Sequence, residues 1–390
     1  MFTINFMRLT HAEINLGNFK SNIKNIKSLL KPETKICVAV KANGYGNGAV
    51  RCALAAEEAG ADYLAIAAVS EGIELRRNGV KLPLLMLSLC CPSEIPDVIK
   101  NSITPLVFDK EIIELYDLEL EKTGADSKFA VHMAIDTGMG RIGIRPEEAC
   151  DIAKSIVNSR HLCLGGMCTH FAVADSLTEE DIAYTEKQHE AFMTAVKNVE
   201  DAGINPGIRH CCNSPAAVNH PEWQLDMVRP GIIVYGYYPD QVTKEYLEKK
   251  GTPVQIKPVM TLVSGVCAIR HFSKGQSVSY GHTWTATEDT DIAVIPCGYG
   301  DGFLRRFNEV VKPSIGGKSY NIRGRICMDQ FMLDIGKDNK DVKRWDKVIL
   351  FGDKTKGAFV DAQDIADATK TIPYEIMTGI TSRVERVYID

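Results

Sequence analysis

The sequence of 390 residues lacks several features that would indicate particular classes of protein. It has no apolar run long enough to cross a bilayer, and its N-terminus has neither a basic region nor the apolar core of a secretory signal. Neither sign of charge dominates, because 45 Lys and Arg residues are mixed with 50 Asp and Glu residues, for a net charge of −5. Such a chain presents no basic stripe to a phosphate backbone. We therefore expect a cytoplasmic protein that binds neither membranes nor nucleic acid.

The twelve cysteines include no C-x-x-C pair, which is the spacing typical of a zinc site. Most of them lie inside apolar runs such as K-I-C-V-A-V and L-S-L-C-C-P, as expected for buried reduced thiols. Two clusters could be considered as metal sites, Cys163 with Cys168 and His170, and the triplet 210–212. Because neither has a matching partner pair, we expect no metal and no disulfide framework.

What remains is the composition of a soluble globular protein, with 45% hydrophobic and 24% charged residues. The chain is too long for one ordinary core, so two domains are expected. Eight apolar runs, from Ile36–Val40 to 225–228, alternate with helical patterns over about 230 residues, as in a (β/α)8 barrel. We predict an α/β fold with a (β/α)8 TIM barrel over 9–242 and a β-rich C-terminal domain over 243–390, with which residues 1–8 could pair.

Polar and glycine-rich residues follow five of the predicted strands directly. They are Lys41, Asp136–Arg141, His170, Asn213 with Ser214, and Arg229–Gly231. Because the active sites of such barrels lie at the C-terminal ends of the strands, we expect these residues to surround one mouth.

Lys41 ends an apolar strand and precedes a glycine-rich turn, in V-A-V-K-A-N-G-Y-G-N-G. A lysine amine among apolar residues can have its pKa lowered enough to attack a carbonyl and form a Schiff base. A surface lysine that opens a loop, an aldolase-type nucleophile and a cofactor anchor all fit this stretch. N-S-P-A-A at 213–217 and R-P-G-I at 229–232 favour a phosphorylated cofactor, because free backbone N–H groups at strand-to-helix junctions bind anions. An ordinary helix N-cap would also explain Asn213.

Taken together, the motifs resemble the alanine racemase family, pyridoxal 5′-phosphate enzymes with a barrel fold. The resemblance runs nearly end to end, through V-A-V-K-A-N-G-Y-G, D-T-G-M-G-R-I-G-I, T-H-F-A, H-C-C-N-S-P-A, M-V-R-P-G-I, S-V-S-Y-G, G-Y-G-D-G, G-R-I-C-M-D-Q and T-I-P-Y-E-I.

The resemblance implies that Lys41 binds pyridoxal 5′-phosphate as a Schiff base and acts as a base on one face of the substrate. A racemase needs a second acid or base on the opposite face, because one group returning its own proton mostly regenerates the starting enantiomer. By the resemblance, this group is Tyr280 of the partner subunit in a homodimer. His170 and Arg229 resemble the hydrogen-bonded chain that supports the tyrosine, and Arg229 resembles the arginine that faces the pyridine nitrogen.

The resemblance also implies the other residues that bind cofactor and substrate. The cofactor-binding positions are Lys41, Tyr45, His170, Asn213, Ser214, Arg229, Gly231, Ile232 and Tyr374. Arg141 and the backbone of the partner's Met328 match the groups that bind the substrate carboxylate, and Tyr299 and Tyr374 match the tyrosines that narrow the entrance.

Four positions depart from the family pattern. Ala134 stands where the family commonly has a carbamylated lysine that braces the substrate-binding arginine, which leaves the support of Arg141 open. Asn47 replaces a common histidine, Gly300 replaces a common alanine, and Thr378 replaces a frequent cysteine.

The resulting hypothesis is a homodimeric alanine racemase that supplies D-alanine for peptidoglycan. A serine or broad-specificity racemase is an alternative, which Tyr374 at the entrance disfavours. A decarboxylase of the same architecture is disfavoured by Arg229 and Tyr280. A non-catalytic protein that binds pyridoxal phosphate is disfavoured by the second domain.

Overall fold

The computed structural model describes residues 8–124 and 127–390. Their chain packs into two compact units. The barrel unit contains residues 20–44 and 49–256, and the second unit contains residues 8–19, 45–48 and 257–390. The predicted boundary between 242 and 243 stays a prediction, as does the pairing of residues 1–8, of which residues 1–7 lie outside the described part.

Strand β1 (His11–Asn15) belongs to the second unit. The strands of the barrel unit are parallel and pair in the order β10-β2-β3-β4-β5 and β6-β7-β8-β9. They are β2 (Lys35–Ala39), β3 (Tyr63–Ile66), β4 (Leu84–Met86), β5 (Ile103–Thr104), β6 (Leu106–Val107), β7 (Phe129–Ala134), β8 (Leu162–Cys168), β9 (Ile208–His210) and β10 (Met227–Val228).

The barrel closes between β9 and β10, where Asp226 N–H donates to Arg209 O at 3.1 Å. The run I-T-P-L-V-F forms two short strands, β5 and β6, because Pro105 between them has no N–H for the ladder. The Pro105 carbonyl still accepts a hydrogen bond from His132 N–H at 3.0 Å, so the two pieces act as one barrel strand. The predicted (β/α)8 barrel is confirmed.

Continuous apolar runs suit these strands, because a parallel barrel strand is buried on both faces. In β2, residues 36–39 are at most 4% exposed. The chain's helices are α1 (Leu16–Lys27), α2 (Ala49–Glu58), α3 (Val69–Arg77), α4 (Ile95–Lys100), α5 (Lys110–Thr123), α6 (Ala149–Asn158), α7 (Glu179–Asp201), α8 (Ser214–Asn219), α9 (Lys244–Lys250), α10 (Ala362–Thr369) and α11 (Pro373–Thr378). None of these described helices is both long and apolar enough to span a membrane.

The second unit is built on β-sheets, as predicted for the C-terminal part of the chain. A six-stranded sheet has the order β17-β16-β20-β11-β1-β21, a four-stranded sheet has the order β12-β15-β19-β18, and β13 pairs with β14. The strands are β11 (Met260–Gly265), β12 (Ala268–Phe272), β13 (Ser277–Val278), β14 (Trp284–Thr285), β15 (Thr290–Ile295), β16 (Ser314–Ile315), β17 (Lys318–Ser319), β18 (Asn321–Arg323), β19 (Phe331–Gly336), β20 (Lys347–Phe351) and β21 (Glu385–Ile389). In the six-stranded sheet, β1 lies between β11, which it pairs antiparallel, and β21, which it pairs parallel.

Candidate active site

A cavity of about 220 Å³ lies at the C-terminal mouth of the barrel. Four of the residues predicted to surround this mouth line it together: Lys41, Arg141, His170 and Arg229. Apolar side chains complete much of the wall beside these basic groups. The cavity is lined further by Ala67, Leu87, Ser88, Leu106, Ala134, Ile135, Met139, Ile142, Cys168 and Thr169.

Lys41 follows directly after β2 and its neighbour Val40, which is fully buried. The buried Tyr235 hydroxyl donates to Ala39 O at 2.8 Å and so fixes the end of the strand. The next residues, Ala42 to Tyr45, all have φ between 51° and 61°. This is a left-handed turn, which disfavours residues with a Cβ by roughly 1–2 kcal/mol each. Such strain persists only where the surroundings impose it, as at functional sites.

Glu71 of α3 is part of what imposes this turn. Its carboxylate accepts from Ala42 N–H at 2.6 Å and from Ala67 N–H at 2.8 Å, so it joins the turn after β2 to the loop after β3. Asn43 stabilises the other end of the turn, because its side-chain oxygen accepts from Ala49 N–H at 2.9 Å. The backbone that carries Lys41 is therefore fixed by the fold around it.

Burial lowers the pKa of Lys41 from its ordinary value of 10.5, and the positive charges of Arg141 and Arg229 lower it further. Glu71 opposes this shift. A lowered pKa gives a larger fraction of neutral amine near neutral pH, which is the form that attacks a carbonyl.

The Arg229 guanidinium is 5% exposed and is held by several acceptors. Its Nη1 donates to His210 Nδ1 and to His210 O, each at 2.8 Å, and its Nη2 donates to Thr169 O at 2.8 Å. His170 Nδ1 lies 3.4 Å from Nη2. The buried Nε has no hydrogen-bond partner among the described residues, although the side chain lines the cavity. One donor of this arginine thus remains for an acceptor in the site.

Two buried histidines continue the contacts of Arg229 into the barrel. His210 Nε2 lies 2.8 Å from His132 Nδ1. Because arginine can only donate, His210 Nδ1 is an acceptor and its Nε2 carries the proton, which it donates to His132. Burial followed by the charge of Arg229 lowers the pKa of His132 to about 4 and that of His210 well below 6.5. Both rings are therefore neutral near pH 7, and they leave the guanidinium charge uncompensated.

His170 is neutral for the same reasons. Burial, then the charges of Arg229, Arg141 and Lys41, lower its pKa to about 3. A neutral imidazole beside Arg229 can accept a hydrogen bond at one ring nitrogen and donate from the other.

At the junction after β9, Asn213 is the N-cap of α8, with its side-chain oxygen 3.3 Å from Ala216 N. Asn213 therefore has the ordinary N-cap role considered for it. Ser214 is 4% exposed, and its hydroxyl accepts from Gly231 N–H at 2.8 Å. This bond brings the N-S-P and R-P-G-I turns together, and Ile232 begins the short 3₁₀ turn that follows.

In the second unit, Tyr280, Tyr299 and Met328 line one depression with Ser279, Gly281, His282, Cys327, Asp329 and Gln330. These three large side chains are 71%, 39% and 52% exposed, in the order given. The loop from 324 to 330 connects β18 and β19 and carries Met328. Exposed apolar groups gathered in one place are typical of a surface that binds something.

Two further predicted residues, Tyr45 and Tyr374, also lie in the second unit. Their ring centroids are 5.7 Å apart, and burial raises the pKa of Tyr45 to about 12. Thr378, one of the departures from the family pattern, donates its hydroxyl proton to Tyr374 O at 2.7 Å. Asn47, another, is buried and donates to Tyr45 O at 3.1 Å.

The remaining departures have local consequences. Ala134 is 3% exposed and lines the cavity, whereas Arg141 is exposed and makes no hydrogen bond or ion pair with the described residues. At Gly300, a Cβ would lie 3.0 Å from Arg383 Nη1, so the glycine leaves room for that guanidinium.

The two cysteine and histidine clusters considered as metal sites do not form one. Within residues 8–124 and 127–390, no group of three or more His, Cys, Asp or Glu could hold a metal ion. Cys211 and Cys212 instead direct their thiols at Trp223 O.

Comparison with known families gives an assignment for most of the chain. Residues 14–239 match the family described as "Alanine racemase, N-terminal domain", and residues 259–388 match "Alanine racemase, C-terminal domain". The chain belongs to the alanine racemase family. The resemblance inferred from the motifs is thereby confirmed.

Individual alanine racemases resemble the chain over nearly its full length. It is 46% identical to the alanine racemase of Treponema denticola, over 98% of this chain and 99% of that protein. An alanine racemase structure from Clostridium difficile has a TM-score of 0.90 at 40% identity, over 99% of this chain and 97% of that one. The Bacillus anthracis alanine racemase "with bound L-Ala-P" has a TM-score of 0.89 at 33% identity, over 99% of this chain and 96% of that one.

The sequence does not predict the residues that contact the Lys41 turn and Arg229 from outside the cavity. Glu71, His132 and His210 carry no local signal that connects them to Lys41 or Arg229. In the sequence, His210 stands beside two cysteines, a pattern that indicates at most a metal site. Its imidazole contacts Arg229, 19 residues further along the chain, and that contact exists only in the folded barrel.

Proposed function

We propose that this chain is an alanine racemase that interconverts L- and D-alanine with pyridoxal 5′-phosphate. The observation that carries the proposal is the cavity at the barrel mouth lined by Lys41, Arg141, His170 and Arg229. The D-alanine formed would supply peptidoglycan, as the family resemblance implies.

The residues at the barrel mouth fit pyridoxal phosphate. Burial and the nearby arginines lower the pKa of Lys41, which favours attack of its amine on an aldehyde carbon. The Nε of Arg229 is a buried donor without a partner in the described chain, so it suits an acceptor such as an unprotonated pyridine nitrogen. The Ser214 hydroxyl and the Ile232 backbone N–H are groups of the kind that bind a phosphate. The Gly231 N–H, which donates to Ser214 Oγ in this structure, would exchange that bond for one to the phosphate. We infer that Tyr45, Asn213 and Tyr374 also contribute to cofactor binding.

When bound, the cofactor supplies an electron-withdrawing system that stabilises the negative charge left on the substrate Cα when its proton is removed. Arg229 would weaken this withdrawal of electrons from the substrate Cα. A permanent guanidinium charge, with only neutral histidines beside it, disfavours protonation of a ring nitrogen that it faces. Weak withdrawal favours return of the proton to Cα over side reactions.

The proton is moved by two groups. The Lys41 amine takes or returns the proton at Cα on one face, and the Tyr280 hydroxyl of the partner subunit does so on the other. An ordinary tyrosine has a pKa near 10, so it needs stabilisation in its deprotonated form. A neutral His170 ring beside Arg229 would provide it by donating a hydrogen bond.

The substrate carboxylate would be bound by Arg141 together with the backbone of the partner subunit's Met328. Tyr299 and Tyr374 would narrow the entrance and favour a small side chain. Without the carboxylate anchor, the Cα proton would not be presented to both bases, so we expect Arg141 to act on substrate binding.

The exposure of Tyr280 and Met328 supports a homodimer in which each subunit completes the other's site. Mixing subunits tests this directly. A heterodimer of Lys41→Ala and Tyr280→Phe subunits has one intact site, because one subunit supplies Lys41 and the other supplies Tyr280. Random reassociation should therefore restore about one quarter of the wild-type sites from two inactive proteins. Absence of any recovery, with heterodimers demonstrated by affinity tags, would contradict shared sites.

The activity itself is tested by following racemisation of L-alanine and L-serine in the presence of pyridoxal phosphate. We expect alanine to be turned over well and serine poorly. Lys41→Ala should abolish the cofactor absorbance that depends on the amine, whereas Tyr280→Phe should retain it but lose racemisation. A wild-type protein that binds cofactor and racemises neither amino acid would refute the proposal.

A further inference from the structure

Helix α7 carries two polar side chains, Tyr184 and Gln188, on one face, because residues four apart lie one turn above each other. Both reach the segment Asp136–Arg141 that follows β7. Arg141 itself has no side-chain partner among the described residues, and Ala134 offers it none. Among the described residues, only the backbone of this segment can then limit where Arg141 points.

Tyr184 holds the segment at its centre. Its hydroxyl donates to Gly138 O at 2.8 Å. A Cβ at residue 138 would lie 2.5 Å from the tyrosine hydroxyl oxygen, and the φ of +134° at this position also favours glycine. The glycine is thus needed for the tyrosine to approach.

Gln188 holds the start of the segment and is 1% exposed. Its amide donates to Thr137 Oγ1 and to His170 O, each at 3.3 Å, and its oxygen accepts from Ala172 N–H at 3.0 Å. The Thr137 hydroxyl also lies 2.8 Å from Thr169 Oγ1. One buried side chain therefore joins the segment to the backbone that carries His170.

Hydrogen bonds within the segment also restrain its residues relative to one another. Asp136 Oδ1 accepts from Gly138 N–H at 2.9 Å and from Gly140 N–H at 3.0 Å. A restraint applied at Gly138 is passed through these bonds to Gly140, the residue that directly precedes Arg141.

We propose that Tyr184 and Gln188 are positioning residues that orient Arg141 for the substrate carboxylate, in place of a charged brace at position 134. This inference rests on the carboxylate-binding role of Arg141 in the proposed function. Tyr184 and Gln188 touch neither substrate nor cofactor in this account. The effect of Tyr184 reaches the reaction only through Arg141, whereas Gln188 also contacts the backbone of His170.

The test uses Tyr184→Phe, which removes one hydroxyl from a side chain that is 42% exposed and should leave folding unaffected. Loss of a neutral hydrogen bond should raise the KM for L-alanine about 2- to 10-fold, with kcat changed less than about 2-fold. Gln188→Met should act in the same direction. The matched control is Tyr246→Phe on α9, whose hydroxyl makes no hydrogen bond with the described residues. It should change neither constant.

A ligand without a carboxylate separates this role from general loosening of the site. We expect Tyr184→Phe to weaken the binding of L-alanine to the holoenzyme, measured from the cofactor absorbance, and to leave the binding of ethylamine unchanged. Equal weakening of both ligands would overturn the proposal.

Combination with Arg141→Ala completes the design. If Tyr184 acts through Arg141, the second substitution should add nothing to the first, whereas independent effects would multiply. This inference alone would be overturned if the effects of Tyr184→Phe and Arg141→Ala on KM multiplied, or if the Tyr184→Phe enzyme had the wild-type KM. An Arg141→Ala enzyme with the wild-type KM would overturn both this inference and the carboxylate role in the proposed function.

Discussion

Replacement of Asp301 by Asn should strongly destabilise the second unit. The Asp301 side chain is fully buried and accepts hydrogen bonds from Arg8, from Arg383 Nε at 2.8 Å and from Gly298 N–H at 3.0 Å. Arg8 contributes two of these bonds, one to each carboxylate oxygen. An asparagine keeps one acceptor oxygen and turns an NH₂ group toward the remaining donors.

The expected loss follows from these bonds. Hydrogen bonds to a charged group contribute about 1.5–3 kcal/mol each and neutral ones about 1 kcal/mol. The asparagine side chain would weaken two charge-assisted bonds and lose the other two, one of which leaves the Gly298 N–H unpaired. Arg8 and Arg383 are 30% and 42% exposed, so water compensates part of the loss. We expect the free energy of unfolding to fall by about 2–4 kcal/mol.

Urea unfolding of the holoenzyme at fixed protein concentration measures this difference. The control is Asp329→Asn, the same chemical change at the 61% exposed partner of Arg383, which should cost about 0.5 kcal/mol or less. Although burial raises the pKa of Asp301, the bonds from Arg8 and Arg383 outweigh it and hold that pKa below its ordinary value. The charged form therefore stabilises the fold above about pH 4, and this stabilisation is lost as the pH falls further. Equal stability of Asp301→Asn and wild type at pH 7 would refute the reasoning.

Three further predictions follow from the site and its surroundings. A Cβ added by Gly298→Ala would lie 2.3–2.4 Å from two carbonyl oxygens in the turn 327–328. This variant should therefore be less stable, as measured by urea unfolding, and should have a higher KM for alanine, as measured from initial rates. Arg141→Ala removes a positive charge near Lys41 and should raise the pH at which the apoprotein binds cofactor half-maximally. If this pH does not rise, the cause assigned to the lowered pKa of Lys41 is wrong. Burial and the nearby arginine charge lower the pKa of His132 to about 4. As the pH falls from 6.5 to 4, the free energy of unfolding should therefore decrease, by up to about 3 kcal/mol for this group. His132→Asn should make the free energy of unfolding less dependent on pH in this range.

The sequence alone determined the features that depend on neighbouring residues. Apolar runs bounded by glycine and proline mark the barrel strands, and Lys41 lies at a strand end because the run before it stops there. The barrel, its C-terminal mouth and the family could be predicted in this way. The break between β5 and β6 is equally local, because Pro105 has no N–H to donate to the ladder.

Only the tertiary structure decided which distant groups meet. His132 and His210 are 78 residues apart, and Arg8 and Asp301 are 293 residues apart, yet each pair is hydrogen-bonded. Likewise β1, near the start of the chain, joins a sheet with β21 at its end. Propensity and periodicity describe which face of an element is buried, but not which element will cover it. The neutral state of the histidines around Arg229, and the hydrogen bonds from α7 to the segment before Arg141, depend on long-range contacts of this kind.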